Sequence, residues 1–183
     1  MVMSVPFAPK FPEPNASNDY LADHIKLLRY SLMHYAKKEL LDYFTVPLPP
    51  DISDVEIAQA VYEAPFIVLS HDTAPSPIFT YANRAAQSLF EMNWIEFTSL
   101  PSSYSAESPN REERARLLAT VTQHGFITNY RGKRIAKSGR KFWIEQATVW
   151  NLIDLTQPIN QQYAGQAAVF SDWQLVIGGY GDR

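Results

Sequence analysis

The stretch Pro65–Leu89, PFIVLSHDTAPSPIFTYANRAAQSL, constrains the fold most. FIVLS is a continuous apolar run of strand length, the pattern of a strand buried on both faces. Thr73-Ala-Pro-Ser-Pro77 interrupts it, because proline fixes φ and lacks an N–H to donate. IFTYA is rich in β-branched and aromatic residues and reads as a second strand. Asn83 then suits a helix N-cap, its side-chain oxygen accepting a free first-turn N–H. Ala85, Ala86, Leu89 and Phe90 follow at helical spacing. Two strands leading into a helix must be continued by whatever the flanking segments supply.

Downstream, Trp94–Leu100 suits a short helical turn, and residues 101–107 a serine-rich loop. Ser108-Pro109, or Asn110 with Glu113 in a capping-box spacing, opens the next helix. Its inward residues read as Ala115, Leu117, Leu118 and Val121. Gly125 is the stop, with His124 in the last turn, where a cation suits the helix dipole. Strands are predicted over 126–135, 141–152 and 166–175, with Ser138-Gly139 as a hairpin turn. Hairpin-linked strands must be antiparallel, so the chain reads as an α+β layer.

Upstream, residues 1–17 carry several prolines and little periodicity and read as a mobile tail. The spacing of Leu21, Ile25, Leu28, Leu32 and Tyr35, continued by Ala36, Leu40 and Tyr43, predicts one long helix over 18–44. Leu27, Leu41 and Phe44 widen its apolar stripe beyond a narrow coiled-coil seam. That helix either packs on its own domain or also pairs with a second subunit. Residues 46–50, VPLPP, form a stiff linker. Ser53 with Glu56 caps a short helix over 55–63. The organisation expected is a tail over 1–17, a helical extension over 18–63, a domain over 64–175 and a second tail over 176–183.

The segments APFIVLSHDTAPSPIFTYAN, Glu113–Leu118, GFITNYRGKRIAKSGRKF, ATVWNLID and GQAAVF together resemble a PAS domain, and more closely the MEKHLA domain, a PAS-like family. The resemblance implies a five-stranded antiparallel sheet with helices across one face and a pocket between the two layers. It also implies a sensory or dimer-controlling regulatory role in signal transduction. The family's plant members carry a homeodomain and leucine zipper. This sequence has neither, so their DNA binding does not carry over.

By strict alternation, Phe142, Ile144, Gln146, Thr148 and Trp150 share one strand face and Trp143, Glu145, Ala147, Val149 and Asn151 the other. Analogy to PAS domains turns the first set towards the helices. The candidate ligand pocket is then Leu118, Val121, Ile144, Gln146 and Thr148, with two polar groups in an apolar cup. The opposed reading is a filled core in which those polar groups are satisfied internally. Trp143, Ala147 and Val149 make the second face too apolar for water. The helix over 18–44 or a partner subunit must cover it, and Leu28, Leu32, Trp143, Ala147 and Val149 are the candidate contacts of a homodimer.

No cofactor is expected. Haem would need His124 or His71 as an axial ligand, and both have simpler roles at a helix end and in a loop. The chain has no cysteine, which excludes a cysteinyl-flavin adduct, disulfides and thiolate-bound metal; only non-covalent flavin is left open. Ser70-His71-Asp72 cannot converge as a triad, because adjacent strand residues point to opposite faces. No phosphate-binding loop, nucleophile elbow or metal-binding histidine pair occurs, so no enzyme is expected. Arg131, Lys133, Arg134, Lys137, Arg140 and Lys141 form a basic hairpin, but a net charge of −3 argues against nucleic acid. No run reaches membrane-spanning length and no secretion signal opens the chain, so a cytoplasmic location is expected. The function expected is a non-enzymatic regulatory module that binds a small ligand or a protein partner and signals through oligomerisation; the alternative is a structural dimerisation module.

Overall fold

The computed structural model describes residues 9–177. The elements are α1 (Ala22–Ala36), α2 (Asp54–Glu63), β1 (Ile67–His71), β2 (Phe79–Ala82), α3 (Arg84–Phe90), α4 (Trp94–Thr98), α5 (Ser108–His124), β3 (Phe126–Ile135), β4 (Lys141–Ile153), β5 (Tyr163–Phe170) and β6 (Asp172–Leu175). The strands form one antiparallel sheet in the order β2-β1-β5-β4-β3, with β6 also paired to β4. β6 prolongs β5 past Ser171 in unbroken register on β4, from Thr148↔Val169 to Glu145↔Asp172. The expected last strand is thus one ribbon interrupted once.

The sheet carries a separate apolar core on each face. One face buries Ile67, Phe79, Phe90, Leu117, Val121, Phe142, Ile144 and Phe170 under α3, α4 and α5. The other buries Val68, Tyr81, Trp150, Leu152 and Val169 under α1 and α2. The helical extension of the same chain is therefore the cover that the apolar second face requires. Ile25, Leu28, Leu32 and Leu40 are all at most 1% exposed. Polar contacts fix the seating. The Trp150 Nε1–H donates to Leu28 O at 3.2 Å, and the Ile153 N–H donates to Ser31 Oγ at 2.9 Å.

The extension is not one long helix. Asp19, Tyr20 and Leu21 all have φ above +50°, so α1 starts only at Ala22. It stops at Lys37, whose φ of 55° breaks the helix without a glycine. The turn lets Leu40 reach the core and brings Glu39 onto Arg29 at 2.9 Å. The residues before it are not wholly a tail. The Phe11 carbonyl accepts from Trp94 Nε1, Pro14 is buried, and Glu13 accepts from the Tyr62 hydroxyl at 2.8 Å. Residues 1–8 and 178–183, the remainder of the two expected tails, lie outside the described residues.

Local signals behave as their chemistry requires. Ser53 and Glu56 form a reciprocal capping box at α2. Gly125 ends α5 with φ 94°, where Tyr35 leaves no space for a side chain.

Strict alternation along β4 fails at a single residue. β3 carries an extra residue between the pairs Ile127↔Val149 and Tyr130↔Ala147, and β4 carries one between Tyr130↔Ala147 and Gly132↔Ile144. Asn129 and Gln146 occupy these bulges with φ of 55° and 49°. The two cancel in register, but side-chain parity inverts across Gln146. Phe142, Ile144, Ala147 and Val149 therefore share the core under α5, while Thr148, Trp150 and Leu152 face α1.

Candidate functional site

A cavity of about 50 Å³ lies between α5 and the sheet, bounded by Leu69, Phe90, Leu117, Ile144, Val149 and Phe170. His71, Arg114, Tyr130, Arg134 and Gln166 also line it. Each of these five polar residues is at most 8% exposed.

Sequence spacing places these groups. Arg114 lies three residues before Leu117 and seven before Val121, on the one stripe of α5 that faces the sheet, whereas Ala115 is exposed. His71 ends β1 beside Gly165 of β5. Gly165 has φ 115°, and a side chain there would collide with the His71 carbonyl. Arg134 points inward from β3, its Nη2–H donating to the Tyr130 hydroxyl at 3.1 Å and its Nη1–H to Lys133 O at 2.8 Å. Tyr130 in turn donates to Glu113 at 3.3 Å. Gln166 Nε2 lies 3.0 Å from Thr122 Oγ1, 3.1 Å from Leu118 O and 3.1 Å from Asn151 Oδ1.

Two groups remain unsatisfied. The Arg114 side chain makes no hydrogen bond or ion pair with any described residue. Burial and the facing Arg134 lower its pKa to about 10, so it stays a cation at neutral pH. His71 Nδ1–H donates to Asp72 O at 2.9 Å, which fixes the tautomer, and Nε2 has no hydrogen-bond partner; Gln166 approaches the ring without completing a bond. Burial lowers the His71 pKa and keeps the ring neutral, and the residue lines the cavity with Nε2 buried and unpaired.

The five pocket residues expected from sequence separate. Leu118 and Ile144 line the cavity, and Val121 is buried in the core behind it. Gln146 does not line it, being exposed at its bulge. Thr148 is on the opposite face, where it accepts from the Tyr43 hydroxyl at 3.3 Å. Of the expected dimer contacts, Leu28 and Leu32 are buried within the chain. Ala147 and Val149 lie under α5. Trp143 is half-buried beneath the Arg131 guanidinium, 3.9 Å from the ring centre. The polar residues that do meet in the cavity were hidden in the sequence, Arg114 inside a charged run and Arg134 inside a basic hairpin.

That hairpin is largely neutralised. Arg131 meets Glu145 at 2.8 Å, Arg140 meets Glu91 at 3.5 Å, Lys141 meets Glu107 at 3.0 Å, and Lys137 pairs with Glu96. His124 is exposed at the end of α5 and cannot ligate a group in the cavity. A space of about 50 Å³ admits neither haem nor flavin without rearrangement, so these residues do not fit either. Among the described residues no group of three acidic, histidine or cysteine side chains could hold a metal, and no helix is long and apolar enough to cross a membrane.

On the other face, His24 Nε2 meets Ser70 Oγ at 2.9 Å, and Ser70 meets Thr80 at 2.9 Å. His24 and Thr80 line an open groove of about 860 Å³ between α1 and the β4–β5 loop. Burial, with Lys10 adding repulsion, pushes the His24 pKa down to about 3. The folded pKa lies below the unfolded value of about 6.5, so the unfolded state binds more protons between the two. His24 therefore costs no stability above pH 6.5 and destabilises progressively as pH falls towards 3. About 2–3 kcal/mol should be lost by pH 4.5 from this residue. Urea midpoints at pH 7 and 4.5 check this: His24→Asn should flatten the difference, and an unchanged difference would exclude His24 as its source.

The MEKHLA domain model matches residues 22–175. The homeobox-leucine zipper protein ATHB-9 of Arabidopsis thaliana is 28% identical over 82 residues, which is 45% of this chain and 10% of that protein. The chain thus matches about a tenth of that relative's length. Among solved structures, a PAS domain from Colwellia psychrerythraea matches with TM-score 0.52 and 16% identity over 62% of this chain and 91% of that one. An RNA-binding light-oxygen-voltage receptor matches with TM-score 0.54 and 18% identity, over 69% and 36%. A fungal light-oxygen-voltage photoreceptor matches with TM-score 0.51 and 16% identity, over 83% and 94%. At these identities the likeness is one of fold.

Proposed function

Since the chain belongs to the MEKHLA domain family, and its fold is that of PAS-like sensory domains, we propose that it is a cytoplasmic, non-enzymatic sensory or regulatory module. It takes a small ligand into the cavity beneath α5, or a protein partner, and reports through its oligomeric state. The observation that supports ligand binding is a buried cavity at which His71 Nε2 has no hydrogen-bond partner and the Arg114 guanidinium has no ion pair among the described residues. Buried polar groups are normally hydrogen-bonded, and the exceptions call for an unseen partner or a function. The apolar stripe of α1 is consumed within the chain, so an oligomer contact falls elsewhere. Tyr30 and Met33 on the outer side of α1, and Trp173 and Leu175 on β6, are exposed apolar candidates.

The small size of the cavity favours a second reading, a structural module with a nearly filled core. Native mass spectrometry of gently purified protein separates the two. The sensory reading expects a small molecule retained and released on denaturation, without a visible absorption band. A ligand-free mass, with a thermal midpoint unmoved by a panel of small metabolites, would leave the filled core.

A further inference from the structure

We propose that the cavity beneath α5 is a receptor site for a short hydroxy acid, its carboxylate held by Arg114 and its hydroxyl by His71. The assignment rests on the sensory reading above and names the ligand class.

Arg114 supplies the first half of the argument. The Arg114 guanidinium is 8% exposed and faces a second guanidinium; Glu113 and Tyr130 favour its charge only from a distance, and no described side chain pairs with it directly. Arginine presents its N–H groups as a planar fork that matches a carboxylate in two parallel hydrogen bonds. Arg134 already spends two of its N–H donors on Tyr130 and the Lys133 carbonyl, whereas the Arg114 fork is wholly uncommitted, so Arg114 makes the contact and Arg134 adds positive potential.

His71 supplies the second. Its Nδ1–H is committed to a backbone carbonyl, so Nε2 is an acceptor and would repel a carboxylate oxygen. It requires a donor, and on a small anion that donor is a hydroxyl. Leu117, Phe90, Ile144 and Phe170 give the cavity a largely apolar wall that suits a carbon skeleton better than a fully hydrated oxyanion such as phosphate. The volume limits the ligand to about two or three carbons, since a cavity three times larger holds a benzene ring.

The test is thermal denaturation and calorimetric titration with lactate and glycolate, against propanoate, inorganic phosphate and chloride at matched ionic strength. Lactate or glycolate should raise the melting temperature saturably and bind roughly tenfold or more tighter than propanoate, because the propanoate complex leaves His71 unpaired. Arg114→Met should abolish the response yet melt at or above the unliganded parent, because it removes a buried charge that has no direct ion pair. A merely structural arginine would lower it. Should that variant fail to fold, Arg114→Lys keeps the charge without the fork and should bind roughly tenfold or more weaker. No response to either hydroxy acid, or an undiminished response in both variants, overturns the assignment; equal affinity for lactate and propanoate overturns the part given to His71. A neutral molecule retained in native mass spectra would also overturn it while leaving the sensory reading intact. A ligand-free protein inert to every small molecule would remove both.

Discussion

A chain shortened to residues 45–177 is expected to lose cooperative folding or to aggregate. The segment removed carries Ile25, Leu28, Leu32 and Leu40, all sealed against β4 and its neighbours. At about 1.5–3 kcal/mol for each fully buried side chain, these four contribute roughly 6–12 kcal/mol, an upper estimate comparable to the whole stability of about 5–15 kcal/mol of a typical domain. Their loss would leave Trp150, Leu152 and Val169 facing water, and would strip the acceptor from the Trp150 indole and from the Ile153 N–H. Circular dichroism melting and light scattering decide the outcome. A sharp melt from a monodisperse shortened chain would mean that the extension is an accessory rather than half of the fold.

Asn83→Ala is expected to destabilise the protein by about 3–5 kcal/mol. Asn83 is fully buried, and its amide joins three elements. Oδ1 accepts from the Ala86 N–H at 3.1 Å, capping α3, and from the Val68 N–H at 3.1 Å. Nδ2 donates to Val61 O at 3.1 Å and Phe66 O at 2.7 Å. Truncation removes a helix cap and strands three further backbone groups in the interior. Asn83→Asp keeps the cap but sets a carboxylate against two carbonyls, so it should not rescue. Urea denaturation with an unchanged slope measures the shift; a midpoint close to the parent in Asn83→Ala would mean that water replaces the amide.

The one-residue signal that marked Asn83 as a cap did not disclose its three other partners. That difference is general in this chain. Asn83, Ser53 with Glu56, Gly125, and the turn at Ser138-Gly139 were legible because caps and turns depend on residues close in sequence. The two hairpin-linked strands and the apolar stripe of the extension were legible because a period of 2 or 3.6 survives wherever one face is buried. The break at Lys37 was not legible, since no glycine marks it. Leu40 reaching the core, and Glu39 reaching Arg29, hold a lysine in the left-handed region. Of the five residues expected at a pocket, Leu118 and Ile144 do line the cavity under α5, Val121 packs behind it, and the two polar ones do not. Counting alternately along β4 gave Gln146 and Thr148 to the candidate pocket, and the bulge at Gln146 takes both away. Among the described residues of α5, Arg114 is the one charged residue that is buried, and only the position of the sheet shows which charged residue points inward.

The sequence by itself determined an α+β chain with antiparallel hairpins, the sites of its caps, and an apolar extension that had to cover something. These follow from backbone hydrogen bonding and side-chain periodicity, which act over a few residues. The tertiary structure decided which layer covers each face, which way each residue past Gln146 points, and that Arg114, Arg134 and His71 meet in one cavity. Those depend on contacts between residues far apart in the chain, where a single extra residue in a strand exchanges its two faces and no local pattern records it.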